Sequence, residues 1–189
     1  MTTQNALPNI AVHMIRPTMN ALPQIPFAPG FGMRAMKRSD EVLWTDVQRD
    51  AEPFIKIEDG LFTEQFGTDW KVIGERCFLI VNERNATVGT LSAWFSDNYK
   101  GGDWGRIHWV SVRPSAQGKG LAKAAVSYSM NVLAKHHTRA WLATSAARIP
   151  AIKLYLDFGF EPDYETPDAK QAWDAVRTQL NHPALGKQS

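Results

Sequence analysis

The stretch from Arg106 to His137 constrains the fold more than any other. Arg106 to Val112 is β-rich and leads through Arg113-Pro114-Ser115-Ala116 into Gln117-Gly118-Lys119-Gly120-Leu121-Ala122. From about Gly118 to His137 the pattern predicts a long helix, with Leu121, Ala125, Tyr128 and Val132 on one stripe. A strand feeding a helix through a glycine turn leaves the first helical N–H groups without acceptors, beside the positive end of the dipole. Gly118 and Gly120 remove the side chains that would hold a ligand away from those amides. Such a junction suits a phosphate or pyrophosphate; it also occurs as a purely structural turn. Lys119 is followed by Gly120 where a P-loop needs Ser or Thr, and the stretch does not spell GxGxxG.

Around this junction strands and helices alternate in a mixed α/β order. Phe31 to Lys37 reads as a strand and Asp40 as a helix N-cap, with Leu43, Val47 and Ala51 on one helical face. Residues 53 to 75 read as irregular and helical pieces. Cys77 to Val81 and Thr87 to Phe95 form a hairpin about Asn82-Glu83-Arg84-Asn85, and a polar loop, Ser96 to Gly105, precedes the Arg106 strand. Beyond the long helix come a strand at Ala140 to Thr144, a helix at Pro150 to Phe158 stopped by Gly159, and a strand at Phe160 to Tyr164. Thr166-Pro167 caps a last helix, about residues 167–180, with Ala169, Ala172, Trp173, Val176 and Leu180 inward. Residues 1 to 30 hold prolines 8, 17, 23, 26 and 29 and almost no charge. They read either as a Pro-rich extension, with Ile10 to Ile15 a short edge strand and the rest extended over a domain of residues 31–189, or as a disordered tail.

Composition removes several function classes. The 21 basic and 19 acidic side chains give a net charge of +2, too balanced for a chain built to neutralise many phosphates, so nucleic acid is not an expected partner. Cys77 is the single cysteine, and the histidines at 13, 108, 136, 137 and 182 show no metal-ligand spacing, so no metal is expected. No apolar run reaches membrane length, and Pro8 and Pro17 interrupt any signal-peptide layout. The expectation is a cytoplasmic protein with no membrane partner.

Two motifs carry a resemblance. Gln117-Gly118-Lys119-Gly120-Leu121-Ala122 fits a Gln/Arg-x-x-Gly-x-Gly/Ala signature, and Ala151-Ile152-Lys153-Leu154-Tyr155-Leu156-Asp157-Phe158-Gly159-Phe160 resembles an Ala-Ile-x-Leu-Tyr-x-x-x-Gly-Phe landmark. Together they make the chain resemble the GNAT superfamily of acetyl-CoA-dependent N-acetyltransferases, closely from about residue 76 to 162 and more loosely back to residue 31. The resemblance implies a central, mostly antiparallel twisted sheet, splayed between the family's fourth and fifth strands and flanked by helices. It implies acetyl-CoA (coenzyme A) as acyl donor. The backbone amides of Gln117, Gly118, Lys119, Gly120, Leu121 and Ala122 would cradle the pyrophosphate, and the backbone of Val110, Ser111 and Val112 would pair with the pantetheine amides. Tyr155 corresponds to the tyrosine that protonates the leaving thiolate, a task that suits a phenol; the alternative is an aromatic packed against the sheet with its hydroxyl satisfied elsewhere.

The departures from the family pattern matter as much. Many members place a glutamate on the fourth or fifth strand as general base, whereas Arg106-Ile107-His108-Trp109-Val110 and Trp141-Leu142-Ala143-Thr144 carry no carboxylate. With an ordinary pKa of about 6.5, His108 is the natural candidate, and arylalkylamine-type acetyltransferases resemble this chain in having histidine on the same strand. The alternative is a histidine on the other face of the sheet, or one bonded to a backbone carbonyl. Arg148 stands where an asparagine usually opens the second landmark, either facing CoA phosphates or paired with a surface carboxylate.

For the acceptor, Trp94, Trp104 and Trp109 are the expected substrate-binding residues, within an aromatic set that also includes Trp44, Phe54, Phe95 and Tyr99. Such a lining favours an aromatic or alkyl amine, or a cationic head held by cation–π contact, and Asp97 and Asp103 are either anchors for its ammonium group or parts of a solvated loop. The leading expectation is acetyl transfer to a primary amine, on a small molecule or a peptide, by direct attack. A non-catalytic acyl-CoA-binding module and a protein N-terminal acetyltransferase stay open, as do monomer and homodimer.

Overall fold

The computed structural model describes residues 7–165 and 168–186. Among them the strands are β1 (Ala11–Arg16), β2 (Phe31–Ala35), β3 (Cys77–Asn82), β4 (Thr87–Tyr99), β5 (Gly102–Val112), β6 (Ala140–Ser145) and β7 (Glu161–Asp163). The helices are α1 (Glu41–Ala51), α2 (Leu61–Phe66), α3 (Trp70–Arg76), α4 (Leu121–Leu133), α5 (Ile149–Asp157) and α6 (Ala169–Gln179). Two compact units result, one from Ala21 to His137, the other from the chain up to Asn20 together with Thr138 onward.

The Ala21–His137 unit holds an antiparallel sheet in the order β2-β3-β4-β5. Strand alternation assigns its two faces. Ala93 pairs with Ile107 and Phe95 with Gly105, and this face meets α4. A Cβ on Gly105 would sit 3.0 Å from Leu133, so the absent side chain is what admits the helix. Ser92 pairs with His108 and Trp94 with Arg106 on the opposite face. There Met36, Trp44, Phe62, Phe66, Ile73, Cys77 and Leu79 form a core against which Trp94 and Trp109 pack.

Several sequence expectations change here. The expected loop from Ser96 to Gly105 is strand: β4 runs on to Tyr99, and Lys100-Gly101 alone turns the chain, with φ of +48° and +68°. That is the type I′ geometry favoured between twisted strands. Asp40 does stand before α1, but its carboxylate makes no helix cap. It accepts instead from Arg34 Nη1 at 2.6 Å, Arg34 Nη2 at 3.0 Å and the Lys37 amide at 2.8 Å, locking the corner between β2 and α1. The buried side of α1 is Trp44, Thr45, Val47 and Gln48, while Leu43 and Ala51 lie at its margin. Helix α4 is shorter than expected and its buried face wider: Ala124, Ala125, Ser127 and Ser129 are all buried, and Tyr128 faces outward. The proline-rich chain before β2 runs along α4, where the Ile25 amide donates to Ser127 Oγ at 2.9 Å and that hydroxyl donates to the Pro23 carbonyl at 2.6 Å.

In the second unit β1 lies between β6 and β7, antiparallel to both. The expected edge strand is therefore interior, with Val12 and Met14 fully buried. Arg16, at its end, donates to the carbonyls of Phe158 and Asn20. Phe158 closes α5, so the guanidinium meets the negative end of that helix. Gly159, at φ +75°, leaves the space the guanidinium occupies, so it ends the helix as expected. Helix α6 packs through Ala169, Ala172, Trp173 and Val176; Leu180 lies beyond it, half-buried. The expected Thr166-Pro167 cap lies outside the described residues.

Candidate active site

Strand β5 does not keep its alternation. Thr90 pairs with Ser111 and Ser92 with His108, so three steps on β5 face two on β4. This is a β-bulge, centred on Trp109, which sits at φ +49°. The left-handed backbone there is rare for a bulky residue and persists only where its surroundings impose it. A chain of hydrogen bonds does so from α1. Ser111 Oγ donates to Gln48 Oε1 at 2.6 Å, Gln48 Nε2 donates to Thr90 Oγ1 at 2.7 Å, and Thr90 Oγ1 donates to the Trp109 carbonyl at 3.0 Å. Gln48 and Thr90 are both fully buried. On the opposing strand a Cβ at Gly89 would lie 2.5 Å from the Ser111 carbonyl, so glycine is required beside the bulge.

The bulge brings the side chains of consecutive residues to one place. His108 Nε2 and Trp109 Nε1 both lie 3.1 Å from Gln65 Oε1. The His108 ring also meets Phe66 edge-on at 5.6 Å, and Trp94 meets Phe66 at 5.1 Å. The Trp109 ring packs on Trp44 at 5.3 Å. Burial, reinforced by the positive charge of Arg106, holds His108 well below the usual histidine pKa, so its ring is neutral at neutral pH. Trp94, Trp109 and His108 thus gather around Phe66 and Gln65. Trp104 stands apart, toward the β4–β5 turn, with Tyr99 edge-on at 5.5 Å. Asp103 lies on the other face of β5, 3.0 Å from His137 Nδ1; the side chain of Asp97 lies outside the described residues. The residues that sequence reasoning missed are Gln48, Gln65 and Thr90. Gln48 had a signal, a polar side chain one turn after Trp44 and next to Val47 on α1.

At the other end of β5, Pro114–Ala116 forms a short 3-10 turn and Gln117 Nε2 donates back to the Val112 carbonyl at 3.0 Å. Gly118 and Gly120 adopt φ of +77° and +73°, and nothing lies within 4 Å of the position a Cβ would take on either. Gly120 caps α4. The backbone N–H groups from Gly118 to Lys123 find no acceptor among the described residues. Lys119 Nζ sits over the Phe31 ring at 5.4 Å. Val110, Ser111 and Val112 lead from the bulge to this turn, and Ser111 and Val112 are paired with β4 along one edge.

In the second unit, Tyr155 is 7 % exposed and packs edge-on against Phe160 at 6.0 Å. Burial pushes its phenol up to about 12, with Arg148 pulling the other way, so the hydroxyl keeps its proton. It makes no hydrogen bond among the described residues. Arg148 caps α5.

Cys77 is fully buried and its thiol is pushed up to about 12, which leaves no thiolate for nucleophilic attack. Among the described residues no cluster of three His, Cys, Asp or Glu side chains forms a metal site, and no helix is long and apolar enough to cross a membrane.

Solved structures share this fold at low sequence identity. A GCN5-related N-acetyltransferase from Sphaerobacter thermophilus aligns with TM-score 0.66 and 21% identity, over 83% of this chain and 50% of its own. A GNAT-family acetyltransferase from Colwellia psychrerythraea aligns at 0.63 and 13%, over 84% and 55%. Diaminobutyrate acetyltransferase EctA from Paenibacillus lautus, solved with L-2,4-diaminobutyric acid and coenzyme A, aligns at 0.53 and 18%, over 68% and 74%. The chain spans about half the length of the first two. No curated protein matches it by sequence. The family profile described as Acetyltransferase (GNAT) family matches residues 40–160, more than half the chain, and the protein belongs to that family.

Proposed function

We propose that the protein transfers an acyl group, acetyl in the first instance, from acyl-CoA to a primary amine on a small molecule. The observation that carries this reading is the run of unpaired backbone amides from Gly118 to Lys123 at the start of α4, with open space beside Gly118 and Gly120. Outward-facing amides at a helix N-terminus fit a pyrophosphate in charge and in hydrogen-bond direction. Gln117, Gly118, Lys119, Gly120, Leu121 and Ala122 would hold it, with the backbone of Val110, Ser111 and Val112 along the pantetheine and Arg148 toward the phosphates. Acyl-CoA, when bound, supplies a thioester-activated acyl group.

The remaining roles fall to side chains of this chain. A primary amine is mostly protonated at neutral pH and must lose a proton before it attacks. His108, neutral and beside Gln65, takes that proton, since the carboxylate of β5, Asp103, lies on the other face of the strand. Tyr155, protonated at neutral pH, gives its proton to the departing thiolate and recovers one from water. Trp94 and Trp109 border the acceptor, which their rings suit to an aromatic or alkyl amine; Trp104 is assigned a place nearer the turn. A cytoplasmic setting accords with one buried, unpaired cysteine.

Because Arg106 to Val110 carries no carboxylate, a non-catalytic acyl-CoA-binding module is the second reading. A panel of amines assayed for CoA release separates the two. The native chain is expected to turn over at least one amine, and Tyr155→Phe to lose about 10²-fold in kcat with unchanged acetyl-CoA affinity. Acetyl-CoA binding without turnover across the panel would favour the module.

A further inference from the structure

The donors around one amide oxygen settle which nitrogen of His108 is basic. The Trp109 indole N–H can only donate, and it lies 3.1 Å from the Gln65 side-chain amide. The atom it meets must be an acceptor, so that atom is Oε1 rather than the amide nitrogen. His108 Nε2 lies 3.1 Å from the same oxygen. A carbonyl oxygen has two lone pairs and no proton, so it accepts from both rings, and His108 must carry its proton on Nε2. His108 Nδ1 makes no hydrogen bond among the described residues, and it is not one of the fully enclosed nitrogens.

We infer that Gln65 is a positioning residue: held by Trp109, it fixes His108 as the Nε2–H tautomer and leaves Nδ1 as the nitrogen that accepts the proton of the amine. The bulge is what makes this possible, since side chains of consecutive residues on a regular strand point to opposite faces and could not share one partner. The proton balance is simple. The ammonium N–H bond breaks, its proton joins Nδ1, and the electron pair stays on the amine nitrogen. The resulting imidazolium keeps its Nε2–H bond to Gln65, so no partner is lost at the moment of transfer, and Nδ1 returns the proton to solvent. Arg106, on the same face of β5, is the charged group whose field reaches the ring.

This inference rests on the proposed role of His108, but its first readout is independent of turnover. Long-range ¹H–¹⁵N spectra of the ¹⁵N-labelled full chain, with His108 assigned by His108→Gln, report which ring nitrogen carries the proton. The native protein is expected to show Nε2–H alone. Gln65→Leu, and Trp109→Phe through release of the amide, are expected to admit the Nδ1–H form, whereas Gln65→Glu retains an acceptor oxygen and the Nε2–H form. In amine turnover, Gln65→Leu is expected to lower kcat about tenfold with KM for acetyl-CoA unchanged, and Gln65→Glu to move the acid limb of the pH profile upward. A proton on Nδ1 in the native chain overturns the inference, as does a Gln65→Leu variant, folded by its amide spectrum, with the native tautomer ratio. If the tautomer responds as stated while His108→Gln keeps full turnover, Gln65 stands as the tautomer lock, but His108 is not the base.

Discussion

His108 shows how a single side chain is tuned by what surrounds it. Burial and the nearby Arg106 both disfavour the imidazolium, so the folded pKa lies well below 6.5. The acid limb of kcat/KM for the amine is therefore expected below pH 6.5, and His108→Gln should abolish it. Arg106→Gln removes one of the two depressing influences, so its acid limb should move up toward 6.5. A limb that fails to move would mean that His108 does not govern it. Stability carries the same sign. The unfolded chain binds a proton at His108 that the folded chain refuses, so stability rises with pH from the lowered folded value up to about 6.5, and His108→Gln loses that slope. The position of His108 on its strand was legible from the sequence, as were the absent carboxylate and the glycines of the turn. Its partner was not. Gln65 belongs to a short helix inside the stretch 53–75, whose periodicity was too broken to assign, and its role depends on rings that come from another strand.

The bulge in β5 is the element on which the proposed acceptor side depends. It holds Trp109 at φ +49° through the chain from Ser111 to Gln48 to Thr90 to the Trp109 carbonyl. Thr90→Val removes both links made by the Thr90 hydroxyl and strands the buried Gln48 amide. That should cost about 1–3 kcal/mol in urea unfolding. Amine KM should rise while acetyl-CoA affinity, assigned chiefly to the turn at the far end of the strand, stays near native. Equal losses of both affinities would place the bulge outside the acceptor side. Nothing in the sequence marked the bulge, because Trp is not a residue that advertises positive φ and one extra residue disturbs a period of two only locally. The reading of Ser96 to Gly105 as a loop failed for a related reason. Polar residues and glycines there suggested irregular chain, while the turn needed only Lys100 and Gly101. The turn into α4 was readable because its requirement, bare backbone at a helix start, is written in residue types.

Across the whole chain, the family match covers residues 40–160, whereas β1 and α6 fall outside it. Residues 11–16 still form an interior strand of their unit, so a deletion that removes them should cost the β6–β1–β7 sheet and not merely an appendage. Sequence alone placed that strand at an edge, because pairing on both sides involves strands more than a hundred residues later, which no local pattern reveals. The central claim for the molecule is that the start of α4 binds the acyl donor. Calorimetric titration with acetyl-CoA, of the native chain beside Gly120→Glu, tests it most directly. Saturable one-site binding by the native protein, lost in a variant that keeps its fold by circular dichroism, is the predicted result. No binding by the native chain, or undiminished binding by the folded variant, would contradict it.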